Sequence, residues 1–159
     1  MSVDALVSLG GNMGDRKRLM DEAVDRLNAL PETSVRARSS YYRTEPVGPV
    51  KQDWFLNIAV TLRTGQSRDD LVAAGRAIET ALGRDRSKEV PWGPRPMDID
   101  VVGYGDLYGL DDRAFVLVPL AEIAPALLVD GKSLADRAAA ICTGGVKKLN
   151  WPVPPTPPR

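Results

Sequence analysis

Alternating apolar and polar positions predict four β-strands. The clearest case runs from Trp54 to Leu62, where Leu56, Ile58 and Val60 alternate with small or polar residues such as Asn57. Successive side chains of a strand point to opposite faces, so this pattern indicates a strand with one face in a core. The predicted strands cover residues 5–9, 35–42, 54–62 and the segment that begins near Asp98.

Apolar residues spaced three and four apart predict helices between these strands. Asp15 is the expected cap of the first helix, which runs to about Ala29, and Ser67 is the expected cap of the second, which stops at Gly83. Three further elements are expected near the C-terminus. They are a short helical turn at 121–125 after an apolar run, a helix over 134–141 and an edge strand over 146–149.

The order strand, helix, strand, strand, helix, strand is the split βαβ pattern of a ferredoxin-like α+β fold. We therefore predict a single domain over residues 1–150, with helices packed on an antiparallel sheet. Residues 151–159 are dense in proline and have little to pack with, so we expect an extended or mobile tail there.

Composition excludes several classes of site. The 159 residues include no histidine, which rules out histidine-dependent catalytic triads and histidine-bound zinc. The 21 basic and 21 acidic residues balance, so we expect neither a nucleic-acid partner nor a membrane partner. A single cysteine, with no long apolar run and no signal pattern, favours a cytoplasmic protein.

The fourth strand carries the most informative chemistry. Asp98 and Asp100 lie two residues apart, so both carboxylates leave the same face, while Met97, Ile99 and Val101 point into the core. Two adjacent carboxylates repel each other unless a cation lies between them. A basic cluster just upstream would suit the phosphates of a magnesium-bound polyphosphate. It comprises Arg84, Arg86, Lys88 and Arg95.

Two other features have both structural and functional interpretations. The glycine-rich turn from Gly10 to Asp15 lacks the Gly-Lys-Ser/Thr of a Walker loop, and it is either a tight strand-to-helix turn or a ligand contact. Asn57 is an amide within an apolar alternation, and it either pins a loop or reads the edge of a ligand. A charged loop such as 84–89 is also often only solvated.

Five segments together resemble a known family. They are, in order, Ser8–Asp15, Ser40–Gly48, Phe55–Val60, Trp92–Asp100 and Phe115–Pro125. The chain is similar over about residues 5–150 to 6-hydroxymethyl-7,8-dihydropterin pyrophosphokinase, an enzyme of folate biosynthesis. The Trp-Gly-Pro-Arg-Pro-Met-Asp-Ile-Asp segment is the most specific of the five.

The resemblance implies a transferase that moves pyrophosphate from ATP to the hydroxymethyl group of a dihydropterin and leaves AMP. It implies ATP as co-substrate and two magnesium ions bridged by Asp98 and Asp100, and we expect the enzyme to act as a monomer. Two alternatives stay open at this point. One is a non-catalytic ferredoxin-like nucleotide-binding module, and the other is a different magnesium-dependent phosphotransferase.

The resemblance also assigns roles to individual residues. The implied catalytic residues are Arg84, Arg95 and Asp98. The implied pterin-binding residues are Gly10, Thr44, Val47, Phe55, Asn57 and Phe115, with Phe115 as the expected stacking partner. The implied nucleotide-binding residues are Glu79, Arg84, Arg86, Trp92, Arg95, Val101 and Arg113. Loops 44–53 and 84–93 are expected to close over the substrates.

One departure from the family follows the acid-pair strand. The family has a longer connection there, with a Pro-His dipeptide whose histidine contacts the nucleotide, whereas Leu107 is followed at once by Tyr108 here. Either this protein has lost the hairpin, which predicts weaker nucleotide affinity than in relatives, or the chain is interrupted between these residues. We favour the interruption, which predicts a break between Leu107 and Tyr108.

Overall fold

The computed structural model describes residues 2–46, 48–141 and 143–156. The strands are β1 Val3–Gly11, β2 Thr33–Arg38, β3 Tyr42–Thr44, β4 Phe55–Thr64, β5 Asp98–Tyr104, β6 Leu107–Tyr108, β7 Leu128–Val129, β8 Lys132–Ser133 and β9 Val146–Lys148. The helices are α1 Arg16–Asn28, α2 Arg68–Ala81, α3 Ala114–Ile123 and α4 Leu134–Ala139, with a 3₁₀ turn at Arg86–Lys88.

Strand β1 lies at the centre of an antiparallel sheet. It pairs with β4 on one side and β5 on the other, and the sheet continues outward to β6 at one edge and through β3 to β9 at the other. Strand β2 also pairs with β4, beside the half of β4 that β3 leaves free. The order of elements and the pairing confirm the predicted ferredoxin-like α+β fold.

The two faces of the sheet bury different cores. One face packs against α1 and α2 through alternate residues of the central strands, including Val7, Leu9, Ile58 and Val60. The other face packs against α3 and α4, but only over the half of the sheet that contains residues such as Leu6. The rest of this second face is left open beside α3, and the polar positions of β1, β4 and β5 lie there.

Helix α3 is fixed over its half of the sheet by a polar contact. Glu122 accepts hydrogen bonds from the Tyr42 hydroxyl (2.6 Å) and from the Ser40 backbone N–H (3.1 Å). Burial, followed by the bond to Glu122, raises the pKa of Tyr42 well above its ordinary value. The protonated phenol is therefore a stable donor, and it holds the helix against β3.

The prediction of one continuous strand over 35–42 is wrong. It is divided into β2 and β3, because the chain contains one more residue than β4 does between the pair Arg38–Val60 and the pair Tyr42–Asn57. Ser39 bridges the interruption: its hydroxyl accepts a hydrogen bond from the Ala59 N–H at 2.9 Å. Such an insertion turns side chains to new faces, and alternation alone does not reveal it.

The helices agree with their predicted caps. The Asp15 carboxylate accepts a hydrogen bond from the Arg18 N–H, and the Ser67 hydroxyl accepts one from the Asp70 N–H. One correction concerns α3, which joins the predicted apolar run and helical turn into a single helix that contains Pro119. No helix within the described ranges is long and apolar enough to cross a membrane.

The connection after β5 is continuous, which corrects the predicted break. Leu107 and Tyr108 are successive residues of β6, and they pair with Tyr104 and Gly103 of β5. Gly105 turns the chain with φ of 61°, a conformation that glycine adopts without strain. The short hairpin is therefore the connection that this chain uses between β5 and α3.

The beginning of the C-terminal segment is also packed, contrary to expectation. Trp151 and Val153 are half-buried against the first core, and the Trp151 ring lies 5.4 Å from the Tyr41 ring. Leu149 holds the segment in place, because its N–H donates to the Tyr41 carbonyl at 2.8 Å. The predicted mobility of residues 157–159 falls outside the described residues.

We predict that Trp151→Ala lowers the free energy of unfolding by about 2 kcal/mol, because a half-buried indole leaves the core. For a domain of this size the melting temperature should fall by about 6 °C. Thermal unfolding followed by circular dichroism measures this shift. Thr156→Ala, at an exposed position of the same segment, is the control and should change nothing. Equal melting temperatures for both variants would contradict the packing of this segment.

Candidate active site

The open part of the second face forms a cleft of about 650 Å³, which includes space open to solvent. Residues from β1, β3, β4, β5 and α3 line it, together with two from the loop after β3, two from the loop before β5 and the N-cap residue of α3. The lining comprises Ser8, Gly10, Thr44, Glu45, Pro46, Phe55, Asn57, Trp92, Arg95, Asp98, Asp100, Arg113 and Phe115. Ten of these are residues that the sequence analysis assigned to the site.

Asp98 and Asp100 lie side by side on the floor of the cleft, as the alternation predicts. Gly10 of β1 is opposite Asp98, and Ser8 is opposite Asp100. Each carboxylate faces an arginine: Asp100 Oδ2 lies 3.3 Å from Arg113 Nη2, and Asp98 Oδ1 lies 3.1 Å from Arg84 Nη1. Both side chains are more than a third exposed, so a ligand in the cleft can reach them.

The acid pair suits magnesium that arrives with a polyphosphate. Among residues 2–46, 48–141 and 143–156 there is no group of three or more acidic, cysteine or histidine side chains that could hold a metal ion. Magnesium is commonly held by one or two carboxylates, with the remaining positions filled by water and substrate phosphates. Asp98 and Asp100 therefore fit a metal that is shared with a phosphate chain.

Arg95 and Arg84 have very different surroundings, although the sequence analysis ranked them together. Arg95 lines the cleft, its Nη2 is 3.8 Å from Asp98, and its buried Nε has no hydrogen-bond partner among the described residues. Its guanidinium also lies 5.2 Å from the Phe55 ring. Arg95 thus has donors to offer an anion in the cleft.

Arg84 does not line the cleft, and its donors are already in use. Its side chain is 6% exposed and contacts three carboxylates. The distances are 2.7 Å from Nε to Glu89, 3.2 Å from Nη1 to Glu79 and 3.1 Å from Nη1 to Asp98, and Nη1 also donates to the Met97 carbonyl. These acceptors hold the pKa of the guanidinium above its ordinary value despite burial, which lowers it. Arg84 therefore fixes the position of Asp98.

Glu79 and Arg86 also lie outside the cleft. Glu79 is 2% exposed: its Oε2 accepts a hydrogen bond from the Ile99 N–H at 2.7 Å, and its Oε1 accepts one from Arg86 at 2.8 Å. Both oxygens are thus engaged within the protein. Val101, the remaining assigned residue of this group, packs against the first core. In this conformation these residues support β5 from behind.

On the side formed by β3 and β4, the cleft holds buried polar atoms without protein partners. Asn57 Oδ1 and Thr44 Oγ1 are both buried, and neither has a hydrogen-bond partner in the described part of the chain. Burying such atoms is costly unless a ligand or water satisfies them. This observation favours the ligand interpretation of Asn57 over the loop-pinning one.

Position 10 has no room for a side chain. A Cβ at this position would lie 2.5 Å from Asn57 Nδ2, so only glycine lets the amide extend across β1. Two phenylalanine rings border the same region, Phe55 from β4 and Phe115 from α3, and each lies beneath an arginine guanidinium. Aromatic faces beside an amide oxygen that lacks a partner suit a flat heterocycle with polar edges. Val47, also assigned to this region, falls outside the described residues.

Sequence reasoning missed three lining residues and one connection. Ser8, Glu45 and Pro46 line the cleft without having been assigned, although alternation from Gly10 places Ser8 on the same face. Asn12 joins the two loops at the mouth. Its Nδ2 donates to Gln52 Oε1 (2.9 Å), and its Oδ1 accepts from the Arg95 N–H (3.0 Å). The glycine-rich turn therefore organises the loops as well as leaving room for Asn57.

The family model described as 7,8-dihydro-6-hydroxymethylpterin-pyrophosphokinase (HPPK) matches residues 6–125, which include every residue that lines the cleft. The chain belongs to this family. Its open face, acid pair and arginines are thus features of a member of a known family of pyrophosphokinases.

Bacterial relatives extend the similarity over most of the chain. One from Methylorubrum extorquens, named 2-amino-4-hydroxy-6-hydroxymethyldihydropteridine pyrophosphokinase, is 41% identical and covers 91% of this chain and 98% of its own length. A protein of the same name from Pseudomonas aeruginosa is 37% identical and covers 90% of this chain and 94% of its own. The alignment with the Methylorubrum extorquens protein has 156 positions but includes only 91% of the 159 residues of this chain, so about 11 positions are gaps in this chain.

Solved structures agree with the fold. A crystal structure of an HPPK-DHPS in complex with substrates has a TM-score of 0.65 at 11% identity, over 86% of this chain and 43% of that one. Plasmodium falciparum HPPK-DHPS with pteroate has a TM-score of 0.66 at 13% identity, over 88% of this chain and 42% of that one. This chain therefore spans less than half of the length of these proteins.

Proposed function

We propose that this protein transfers a pyrophosphoryl group from ATP to the hydroxymethyl group of 6-hydroxymethyl-7,8-dihydropterin, leaving AMP, in folate biosynthesis. The observation that carries the proposal is the composition of one cleft in a member of the HPPK family. An acid pair with free arginine donors lies on the β5 side, and a buried amide oxygen without a partner lies on the β4 side, with two aromatic rings in the same lining.

The reaction forms one bond and breaks one. The hydroxymethyl oxygen attacks the β-phosphorus of ATP, and the bond from that phosphorus to the α–β bridging oxygen breaks with its electron pair leaving on AMP. The hydroxyl proton passes to solvent. Transfer of this kind depends mainly on alignment and on neutralising phosphate charge, and needs no histidine.

The protein residues divide this work between the two ends of the cleft. Asn57 and Thr44 would take the polar edge of the pterin, between Phe55 and Phe115. At the other end Arg95 would bind phosphate oxygens and follow the charge that develops on them. Binding in one cleft brings the two reacting groups together, which by itself removes a large entropic barrier.

Asp98 and Asp100 would hold two magnesium ions together with the triphosphate. Bound there, magnesium neutralises phosphate charge and makes the attacking hydroxyl more acidic. Arg84 keeps Asp98 in place from behind. Arg113 contacts Asp100 at 3.3 Å and also pairs with Asp111, and its Nη2 would become available to a phosphate if Asp100 bound a metal.

The loops at the mouth would close over the substrates and keep water from ATP. Two contacts support a coupled closure: the Gln52 side chain donates to the Trp92 carbonyl at 2.6 Å, and Asn12 contacts both loops. We further propose that the protein acts as a monomer and that it works in the cytoplasm, a reducing compartment that suits a chain with a single cysteine.

An assay of AMP release from ATP tests the function directly. AMP should form with 6-hydroxymethyl-7,8-dihydropterin present and not without it. The two alternatives raised by the sequence give other results. A binding module would form no AMP with any acceptor, and another phosphotransferase would require an acceptor other than the pterin. Either result would overturn the proposal.

We predict that Asn57→Ala weakens pterin binding by about 2 kcal/mol, or ~30-fold, and leaves ATP binding nearly unchanged. The reason is that the pterin would lose a buried hydrogen-bond partner, whereas ATP binds at the other end of the cleft. Isothermal titration of each ligand measures the two affinities. Asn150→Ala, at an exposed position, is the matched control. Equal losses for pterin and ATP would contradict the role of Asn57.

A further inference from the structure

Ser8 is a polar residue of the cleft floor that no part of the proposed function uses. It lies in the middle of β1, lines the cleft and is only 5% exposed. Its hydroxyl forms no hydrogen bond with the residues that the structure describes. The hydroxyl is not among the fully buried side-chain atoms that lack a partner, so it faces the open space of the cleft, where a ligand or a neighbouring side chain can contact it.

The register of the sheet determines which groups this hydroxyl can reach. On β4 the residue opposite Ser8 is Ala59, whose side chain has no polar atom, and on β5 it is Asp100. The Ile99 N–H points away from β1, toward Glu79. In an antiparallel pair the bonding direction alternates, so Asp100 and Ser8 form a hydrogen-bonded pair with Cα atoms about 5.5 Å apart. Asp100 is thus the adjacent polar neighbour of Ser8 across the strands.

Asp100 has an oxygen that can accept this hydrogen bond. Its Oδ2 is engaged by Arg113 at 3.3 Å, and Oδ1 has no partner among the described residues. Carboxylates that bind metals are commonly oriented by a second hydrogen bond from the protein, and removing that bond weakens metal affinity. A serine hydroxyl is short and neutral, so it can orient a carboxylate without competing for its charge.

We infer that Ser8 is a positioning residue, which orients Asp100 for the magnesium that accompanies ATP. The inference rests on the proposed function, because it assigns Asp100 to that metal. With ATP and the metal bound, Ser8 would donate to one Asp100 oxygen and leave the other free for the metal. Arg113 holds the carboxylate when no metal is present, and Ser8 holds it when Arg113 turns to the phosphates.

If Ser8 is a positioning residue, Ser8→Ala should weaken metal binding without lowering stability. Ser8→Ala removes a hydroxyl that has no partner in the free protein, so the folded state should be as stable as before or slightly more stable. A residue with a purely structural role would show the opposite, a loss of stability with unchanged metal affinity. Ser8→Thr retains the hydroxyl and should bind metal almost as the wild type does.

The experiment is a titration of the whole protein with Mn²⁺ in the presence of α,β-methylene ATP, which cannot release AMP. Electron paramagnetic resonance measures the free Mn²⁺. We expect Ser8→Ala to bind Mn²⁺ about tenfold more weakly than the wild type, with an unchanged or higher melting temperature. Ser34→Ala is the matched control: it is another strand serine, on β2, and it should bind Mn²⁺ as the wild type does.

The outcomes distinguish this inference from the function on which it rests. Wild-type affinity in Ser8→Ala, with Asp100→Asn clearly weakened, would overturn the role of Ser8 alone. Equal binding by the wild type and Asp100→Asn would overturn both the metal site and the role of Ser8. A weakened Ser8→Ala whose affinity is not restored in Ser8→Thr would also overturn the inference, since the hydroxyl would then not be the group responsible.

Discussion

Asp98→Asn and Asp100→Asn should each lower pyrophosphoryl transfer by about a thousandfold or more and leave the fold intact. Each change removes a charge that would hold magnesium on the triphosphate, and such an ion supplies several kcal/mol of charge stabilisation during transfer. Stability should hardly change, because Arg84 keeps its contacts to Glu79 and Glu89 when Asp98 is neutral. Pterin-dependent AMP release and thermal unfolding measure the two effects.

The control for this prediction is Asp4→Asn. Asp4 is a residue of β1, in the same sheet as the acid pair, but it lies at the end of β1 that is far from the cleft. Like the acid pair it contacts an arginine, with Asp4 Oδ1 3.1 Å from Arg63 Nη1. Its replacement should leave turnover and melting temperature unchanged. Full activity in either acid-pair variant would reject the assignment of the metal, and a collapse of the melting temperature would show that the carboxylates act mainly in folding.

Arg84→Met should destabilise the protein by about 3 kcal/mol, because buried Glu79 and partly buried Glu89 would lose the cation that they share. A loss of this size lowers the melting temperature of such a domain by about 10 °C. Turnover should fall as well, since Asp98 would no longer be held. Arg84→Lys retains the charge but cannot contact three carboxylates at once. Its melting temperature should therefore lie between those of Arg84→Met and the wild type.

Thermal unfolding at several pH values tests the same cluster. The hydrogen bonds from Arg84 lower the pKa of Glu89 below its ordinary value. Glu89 therefore adds stability at pH values above that ordinary value, and this contribution disappears as the pH falls through the lowered one. The stability difference between the wild type and Glu89→Gln should shrink on acidification. A difference that is constant with pH would contradict the ion pair.

Arg68→Met is the matched control for Arg84→Met, since Arg68 is an exposed arginine at the start of the same helix that carries Glu79. It should alter neither stability nor turnover. A folded Arg84→Met protein with the wild-type melting temperature and no turnover would restore the view that Arg84 acts on the substrate itself. The structure favours support of Asp98 as its role.

Much of the site was predictable because strand alternation is a local property. The pattern around Asp98 alone places Asp98 and Asp100 on one face and Ile99 on the other, and both placements are confirmed. The caps Asp15 and Ser67 are local in the same sense. These features depend only on residues within a few positions of each other, so the sequence contains them directly.

The separate roles of the arginines were not predictable from the sequence. Arg84 and Arg95 are both basic residues of one loop region, and nothing in their spacing shows that one is enclosed by Glu79 and Glu89 while the other faces the cleft. Burial and the choice of ion-pair partner depend on how α2 packs behind β5. For the same reason the sequence did not predict the extra residue between β2 and β3 or the packing of Trp151.

The sequence by itself determined the ferredoxin-like order of elements, the acid pair and the family. Only the tertiary structure decided which face stays open, which arginine is free and which hydroxyl lies opposite Asp100. The physical reason is the range of the interactions. Periodicity, capping and turn chemistry act between near neighbours in the chain, whereas strand register, helix coverage and shared ion pairs join residues that are distant in sequence.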